Sequence, residues 1–437
     1  MTFLLHTLGC KVNQYDGGGL AAILTERGHT DVTQVPSAVP DAVIVNTCAV
    51  TEEAVRKSAQ AFRRLAGRYP DAVPVLCGCA AEILAEKLTQ GGAADSYHPQ
   101  NIIIGTVSDK RALADRIEAA FAPPVQRKPS FFAENTGVNT STFELLPAYT
   151  EHARAYLKIQ DGCDNFCAYC VIPYIRGRVR SVSAEDAVAQ TQELARRGFR
   201  EIVITGVEIA SYGRGTEVSL PELLRILDGA AGPEVRFHLS SIAPDRITPE
   251  LVGALAGMQN VCPHFHLSVQ SGSSSVLARM RRHYGAEGIR AACASLRAAF
   301  PGCSLTADFI AGFPGETNAE YIETLGTVQD CGFSGLHVFP YSKRGGTSAA
   351  DMPGQVPENI KKERAKELRA LGVQLRRQYL QEQVGRRLNV LIERDNSGHS
   401  ENYLEVLVEG ADVHRGEIAG VLVSEVRGGC LVGRVSV

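Results

Sequence analysis

Asp161-Gly-Cys-Asp-Asn-Phe-Cys-Ala-Tyr-Cys170 sets three thiols, Cys163, Cys167 and Cys170, on one short loop, with three residues between the first pair and two between the second. A thiolate is a soft ligand, and three from one loop can hold three irons of a 4Fe–4S cluster. No fourth cysteine follows at a matching interval, so one iron would stay open to another ligand. A structural zinc site wants four closed ligands, usually as two separated pairs. Val171-Ile-Pro173 after the loop offers neither His nor Cys for such a set. Three buried, inert cysteines are the bland alternative. The spacing, and the strand-like run ahead of it, favour the cluster.

CxxxCxxC with Tyr169 before the last cysteine resembles the radical S-adenosylmethionine (SAM) superfamily. The resemblance implies that the amino and carboxylate groups of SAM's methionine chelate the open iron, with Tyr169 among the cofactor contacts. It also implies that an electron from the reduced cluster cleaves SAM to a 5′-deoxyadenosyl radical.

The chain of 437 residues is too long for one ordinary core, so several domains are expected. A 44% hydrophobic and 21% charged composition is that of a folded, soluble protein. The net charge of −3 requires any nucleic-acid surface to be a local one. Twelve cysteines at irregular intervals do not read as a secreted disulfide framework and point to metal or redox chemistry in a reducing, cytoplasmic setting. No apolar run reaches membrane-spanning length, so no membrane partner is expected. The Gly-Cys10 near the start lacks the basic and apolar segments of a lipoprotein signal.

Residues 1–122 read as a first domain. Three apolar runs end at Cys10, Cys48 and Cys79, with helical patterns between them at Asp16–Arg27 and Thr51–Arg68. Strand alternating with helix predicts a parallel α/β sheet, whose ligands sit beyond the carboxyl ends of the strands. Each cysteine alone reads as a small apolar residue; three at equivalent strand ends read as a second cluster site. Cys77 is expected on the same side of its strand as Cys79, and Cys79, in the Gly-Cys that leaves the strand, is chosen as the ligand. LGCKVNQYD, VNTCAVTEEAVRKS and CGCAAE resemble the amino-terminal domain of the methylthiotransferases. That implies an auxiliary 4Fe–4S cluster on Cys10, Cys48 and Cys79. The family often has an aromatic after the third cysteine where this chain has Ala80, a departure that touches no ligand. Residues 123–148, polar and rich in Pro, Gly and Asn, read as a linker.

Residues 149–372 read as the central domain. Strand-like runs begin at Tyr156, Glu201, Val235, His264, Leu305 and Gly335, with helical patterns between them. Six β/α units are two short of a full barrel, and the superfamily resemblance implies a partial (β/α)6 barrel. Chemistry then belongs at the carboxyl ends: the cysteine loop, Thr205-Gly-Val-Glu208, Ser240-Ser241, Gln270-Ser-Gly-Ser273 and Ile310-Ala-Gly-Phe-Pro-Gly-Glu316. A carboxylate such as Glu208 can accept a bond from an ammonium group. HLSVQSGSSSVLARMRRHY, ADFIAGFPGET and HVFPYSKRGGTSAADM again resemble the methylthiotransferases. From the superfamily, Gly206, Glu208, Ile310 and Gly312, with Gln270 and Ser271 as weaker members, are carried over as SAM contacts. No acid–base pair stands out, which suits a radical reaction. His264, His266 and His337 alternate within strands and read as structural.

A charged helix is expected over Pro357–Gln383, with Leu368, Leu371, Leu375 and Tyr379 as a packing stripe, and residues 373–437 read as a last domain whose four alternating runs predict a small antiparallel barrel. It resembles the TRAM domain, an RNA-binding module. Arg176, Arg178 and Arg180, then Arg281 and Arg282, then Lys343 and Arg344 are candidate RNA contacts; a charge run is otherwise a solvated face. The combined resemblance implies a radical SAM methylthiotransferase with two 4Fe–4S clusters that modifies C2 of an adenosine beside the tRNA anticodon. Its partners would be tRNA, a reducing electron donor and a sulfur source. HARAYLKIQDGCDNFCAYCVIPYIRGRVRS and HVFPYSKRGGT look most like the branch that acts on threonylcarbamoyladenosine, which makes it the expected substrate, and Lys343 and Arg344 would suit its carboxylate. Isopentenyladenosine, or an aspartate of a ribosomal protein, is the alternative within the family. An iron–sulfur RNA-binding regulator or electron carrier is the reading from another class.

Overall fold

The structure is a computed structural model that describes residues 1–35, 38–90, 102–105, 109–121, 145, 153–410 and 412–436. The expected linker at 123–148 lies outside the described residues apart from Leu145. The chain divides into two units, Met1–Tyr149 with Val171–Arg180, and Thr150–Cys170 with Ser181–Val437.

In the first unit, β1 (Thr2–Thr7), β2 (Thr30–Asp31), β3 (Ala42–Thr47), β4 (Val73–Gly78) and β5 (Ile103–Ile104) form a sheet in the order β2-β1-β3-β4-β5, and every pairing is parallel. All six residues of β3 are buried, as in a sheet covered on both faces. Val43, Val45 and Leu76 pack on one side with Phe62 and Leu65 of the helix Glu52–Arg68. Ile44, Val75 and Cys77 pack on the other with Leu20 and Leu24 of the helix Lys11–Glu26, and with Leu113 and Ile117. Thr51 caps the second of these helices as its sequence predicts, accepting from the Ala54 amide.

Two expectations are corrected here. The first helix begins at Lys11 rather than Asp16, with Cys10 at its N-cap. Its glycines lower helix propensity, but Gly17 lies so close to the Thr7 hydroxyl that any side chain would collide. Cys77 and Cys79 do not share a side. Gly78 takes φ +85°, which breaks the two-residue alternation and sends Cys79 into the opposite core layer.

The second unit opens with β6 (Ala155–Lys158) and includes the short strands β7 (Gln160–Asp161) and β8 (Arg180–Ser181). β9 (Glu201–Thr205), β10 (Arg236–Leu239), β11 (His264–Gln270), β12 (Ser304–Ala311) and β13 (Gly335–Pro340) follow. β6, β9 and β10 form one parallel sheet and β11, β12 and β13 another. Parallel bridges Phe237–Val261 and Ile242–Leu267 link them, so six strands run in chain order as an open partial barrel. Helices between the strands start on side-chain caps at Ser183, Ser219, Thr248 and Thr317. The helix Glu358–Gln381 packs on β13 through Leu368 and Gly372, where Leu336 leaves little room for a side chain.

β14 (Arg387–Arg394), β15 (Ser397–Ser400), β16 (Glu405–Val408), β17 (Ile418–Arg427) and β18 (Cys430–Val435) close a barrel in the order β14-β15-β16-β18-β17. The sequence shows four of these strands. β15, Ser-Gly-His-Ser, has no apolar alternation, and Gly398 lies so near the Leu391 carbonyl that a side chain is excluded. The barrel is also not wholly antiparallel, since β16 and β18 pair parallel.

Arg236 ties this barrel to the base of the central one. Its Nε and Nη2 donate to buried Glu201 at 2.8 and 2.6 Å, and its Nη1 and Nη2 reach the carbonyls of Asn389 and His399 at 2.6 and 3.1 Å. Arg236, with help from His238 and Arg154, holds the Glu201 carboxyl well below the usual carboxylate range despite its burial. Arg236→Ala takes the nearest cation from a buried carboxylate and leaves it Arg154 at 3.4 Å. It should lower unfolding free energy by about 3–5 kcal/mol, read from denaturant titration.

Candidate metal and cofactor sites

In the first unit the cysteines leave the ends of neighbouring strands β1, β3 and β4, so three residues distant in sequence meet at one edge. Asn13 and Thr47 knit that edge. The Asn13 side-chain amide donates to the Leu8 and Thr47 carbonyls at 2.5 and 3.1 Å. The Thr47 hydroxyl donates to Cys77 O at 2.6 Å and accepts from the Ala80 amide at 3.1 Å. Gly9, at φ +102°, is where a Cβ would stand 2.7 Å from the Cys48 sulfur, so only glycine lets the Cys10 turn approach Cys48. Burial pushes the Cys48 thiol up to about 11, and nearby Cys10 and Cys79 add to the rise. Cys79 is raised for the same reason, with Cys10 again contributing. Three free thiols that leave neighbouring strands at one edge of a parallel sheet fit a thiolate-bound cluster, whose metal would displace their protons.

Sequence reading missed the role of Arg176. It was expected to face RNA, yet it is buried, donates from Nε to Cys79 Sγ at 3.3 Å and pairs through Nη2 with buried Asp16 at 2.9 Å. A guanidinium held this way has no reach to a phosphate.

In the second unit the loop 161–170 follows β6 and β7. Lys158 pairs with Asp161 at 2.9 Å, and the other Asp161 oxygen accepts from the Gly162 amide at 2.8 Å. Phe166 takes a left-handed φ of +44°, and Ala168 is pinned from both sides, donating to Met280 O and accepting from the Ala349 amide. Burial pushes the Cys163 thiol up to about 11, with Cys167 adding to it. Arg282, another expected RNA contact, is instead turned inward. It donates to Cys167 Sγ at 3.3 Å, to Ser268 O at 3.1 Å and to the Tyr284 hydroxyl at 2.9 Å. Each cysteine set thus has one sulfur bound by an inward-facing arginine.

Gln160 is a second residue that sequence reasoning passed over. Its fully buried amide donates to the carbonyls of Asp161 and Gly162 at 2.9 and 2.7 Å, while its oxygen accepts from the Glu208 amide at 2.8 Å. The cysteine loop and the Gly206–Glu208 loop are therefore one assembly. Gly206 is the point of closest approach, since a Cβ there would stand 2.9 Å from Gln160 Oε1. Only the pairing of a buried glutamine with a facing glycine could have signalled this in the sequence.

The strand ends hold an unusual concentration of unanswered polar atoms. Thr205 Oγ1, Glu208 Oε1, Ser240 Oγ, Tyr341 Oη and Arg344 Nη1 are all buried without a hydrogen-bond partner. Burial pushes the Glu208 carboxyl up to about 7, with Arg282 opposing the rise. Such groups are costly in an empty protein and fit a polar ligand that carries an ammonium and a carboxylate. The donor set and these orphaned atoms suit a cluster with SAM beside it.

The other expected contacts divide. Ile310 and Tyr169 pack together with Phe313 and Tyr341, and burial drives the Tyr169 hydroxyl well above its usual range. Gln270 has φ +70° at a break in strand register, a strained position at the mouth. Ser271 is spoken for, with its hydroxyl between Thr324 Oγ1 and the Ser273 amide. Gly312 is accounted for by its φ of +76° and contact with Lys361, and its amide already donates to Glu316. Arg178, Arg281 and Lys343 are exposed and Arg180 is half-buried, so these four remain as cations at the surface. His266 is bonded to Thr306 at 2.8 Å and to Asp308 at 3.1 Å, and His264 to His238 at 2.6 Å.

The penalty for ionising Glu208 in the ligand-free protein builds up between its ordinary value of 4.5 and about 7, because its folded value lies above the unfolded one. Glu208→Gln should therefore raise stability at pH 8 by up to about 3 kcal/mol, a gain that falls towards zero only by about pH 4. Denaturant titrations at the two pH values check this.

The radical SAM superfamily profile matches residues 157–328, and that of Uncharacterized protein family UPF0004 matches residues 2–97. The chain is 36% identical over 434 residues to the threonylcarbamoyladenosine tRNA methylthiotransferase MtaB of Bacillus subtilis, covering 96% of this chain and 93% of that one. It is 34% identical to the tRNA-2-methylthio-N(6)-dimethylallyladenosine synthase of Caldicellulosiruptor saccharolyticus, covering 92% and 84%. Among solved structures, the radical SAM methyltransferase TsrM of Kitasatospora setae aligns at a TM-score of 0.55 over 80% of this chain and 77% of that one, with 15% identity. That last likeness is one of fold. An enzyme fold with both of these sequence profiles, and relatives this similar over nearly their whole length, leads to one assignment: the chain belongs to the radical SAM methylthiotransferase family.

Proposed function

We propose that this enzyme converts threonylcarbamoyladenosine beside the tRNA anticodon to its 2-methylthio derivative, in the cytoplasm. The observation that carries the reading is the pair of cysteine sets, each gathered at the carboxyl ends of parallel strands. Cys163, Cys167 and Cys170 would hold one 4Fe–4S cluster, and Cys10, Cys48 and Cys79 a second, each leaving an iron open. With SAM bound, the clusters would supply radical cleavage of a C–H bond and the sulfur, and a second SAM would supply the methyl group.

The chain's own groups bind and orient. Glu208 would accept the ammonium of the methionine moiety, and Thr205 and Ser240 would satisfy neighbouring polar atoms. Tyr169 and Ile310 offer apolar surface beside it, and Gln270 shapes the mouth. Gln160 keeps the cysteine loop and the Glu208 loop in register. Arg176 and Arg282 each donate to a cysteine sulfur, one in each set, and so would place positive charge beside a bound cluster.

Residues 1–122 would carry the second cluster, 149–372 the SAM chemistry, with 123–148 as their linker, and 373–437 a TRAM-like contact to RNA. Arg178, Arg180, Arg281 and Lys343 are the side chains proposed to meet phosphates. An anticodon-loop adenosine is a base that a protein can splay out of a single strand. An electron donor and a sulfur source complete the partners.

Mass spectrometry of tRNA nucleosides from a deletion strain tests the substrate. Loss of 2-methylthio-threonylcarbamoyladenosine is expected; loss of the isopentenyl product instead would transfer the enzyme to the neighbouring branch. Anaerobically reconstituted protein should bind about eight irons, falling to about four in Cys79→Ala. Gly9→Ala should show the same partial loss through its clash with Cys48.

A further inference from the structure

We propose that Arg344 anchors a ligand carboxylate at the carboxyl-terminal face of the central barrel, which rests on the function proposed above and deepens it. Arg344 lies after β13 in Tyr341-Ser-Lys-Arg-Gly-Gly-Thr347 and is only 6% exposed. Its Nη1 has no hydrogen-bond partner, and its guanidinium has no ion pair among the described residues. Other buried arginines are answered: Arg176 by Asp16, Arg236 by Glu201, Arg364 by Glu316 and Arg154 by Glu393. A buried cation without its counter-charge is unfavourable unless a ligand brings one.

The loop that holds it is built, not slack. The amide and hydroxyl of Thr347 both donate to the Arg344 carbonyl, at 3.3 and 2.8 Å. On one side the Tyr341 amide donates to Ala311 O at the end of β12. On the other the Ala349 amide donates to Ala168 O, between Cys167 and Tyr169. Both bonds are 2.8 Å, and they fix the backbone that carries Arg344 to the end of β12 and to the cysteine loop. Lys343, next in line, is exposed and keeps its hydration, so of the two cations only Arg344 calls for a partner.

The planar fork of a guanidinium matches a carboxylate with two parallel bonds. Two ligands of the proposed reaction carry one: the methionine moiety of SAM and the threonyl group of the modified adenosine. A backbone phosphate stays at the solvent surface and suits a buried arginine less well.

The test uses full-length, anaerobically reconstituted protein with Arg344→Gln and Arg344→Met. Two affinities are measured with the cluster oxidised so that SAM persists. One is for SAM; the other compares an anticodon stem-loop bearing threonylcarbamoyladenosine with the same RNA bearing its carboxamide analogue. A loss of about tenfold or more in SAM affinity, with the acid-over-amide preference kept, assigns the carboxylate to SAM. Loss of that preference with SAM binding intact assigns it to the substrate. Arg344→Met should also melt higher than wild type without ligand, because an unanswered charge is gone. Unchanged affinities in an iron-replete variant would overturn the proposal, as would a lower melting temperature with both affinities lost together, which marks a structural role. A wild-type protein that makes no methylthio product would sink the parent function alone, because these readouts are of binding.

Discussion

The carboxamide of Gln160 is the joint on which the central site depends. Three hydrogen bonds from one fully buried side chain fasten the backbone of the cysteine loop to that of the Glu208 loop. A buried amide left without partners is costly, so the two loops hold their register or both give way. Gly206 completes the joint by leaving the space that Gln160 fills. The loop proposed to hold the cluster and the group proposed to orient its ligand are then set by the same bonds.

The amino-terminal unit reaches the same end by another route. Its cysteines come from three strands, and Asn13 and Thr47 bind those strand ends to one another rather than to a single loop. Parallel pairing does the rest, because it aligns carboxyl ends along one edge whatever the distance in sequence. In both units an inward-facing arginine donates to one cysteine sulfur. The companions differ: Arg176 is paired with a carboxylate, whereas Arg282 is bonded to a carbonyl and a phenol.

Polar groups are distributed unequally along the central barrel. At its base Glu201, Arg236 and Arg154 answer one another and bind the terminal barrel, while Tyr403 stacks between His264 and His399. At the opposite, carboxyl-terminal face Thr205, Glu208, Ser240, Tyr341 and Arg344 keep unanswered atoms. Satisfied networks stabilise the scaffold, and the unanswered atoms at the carboxyl-terminal face suit a polar ligand.

The sequence by itself determined the six cysteines, the alternation of strand and helix and the motifs of the family, because each of these is local in the chain. It showed four strands of the last barrel and not β15, whose Ser-Gly-His-Ser carries no apolar alternation and exists because Gly398 fits against Leu391. It put Cys77 beside Cys79, since period-two counting does not foresee a left-handed glycine between them. It read Arg176, Arg282 and Arg344 as candidate RNA contacts, and Arg344 also as a partner for the substrate's carboxylate. Only the tertiary structure decided that two of them turn inward to sulfur and that the third is enclosed without a partner. The direction in which a long side chain points is settled by what surrounds it, and those surroundings come from segments far away in the sequence.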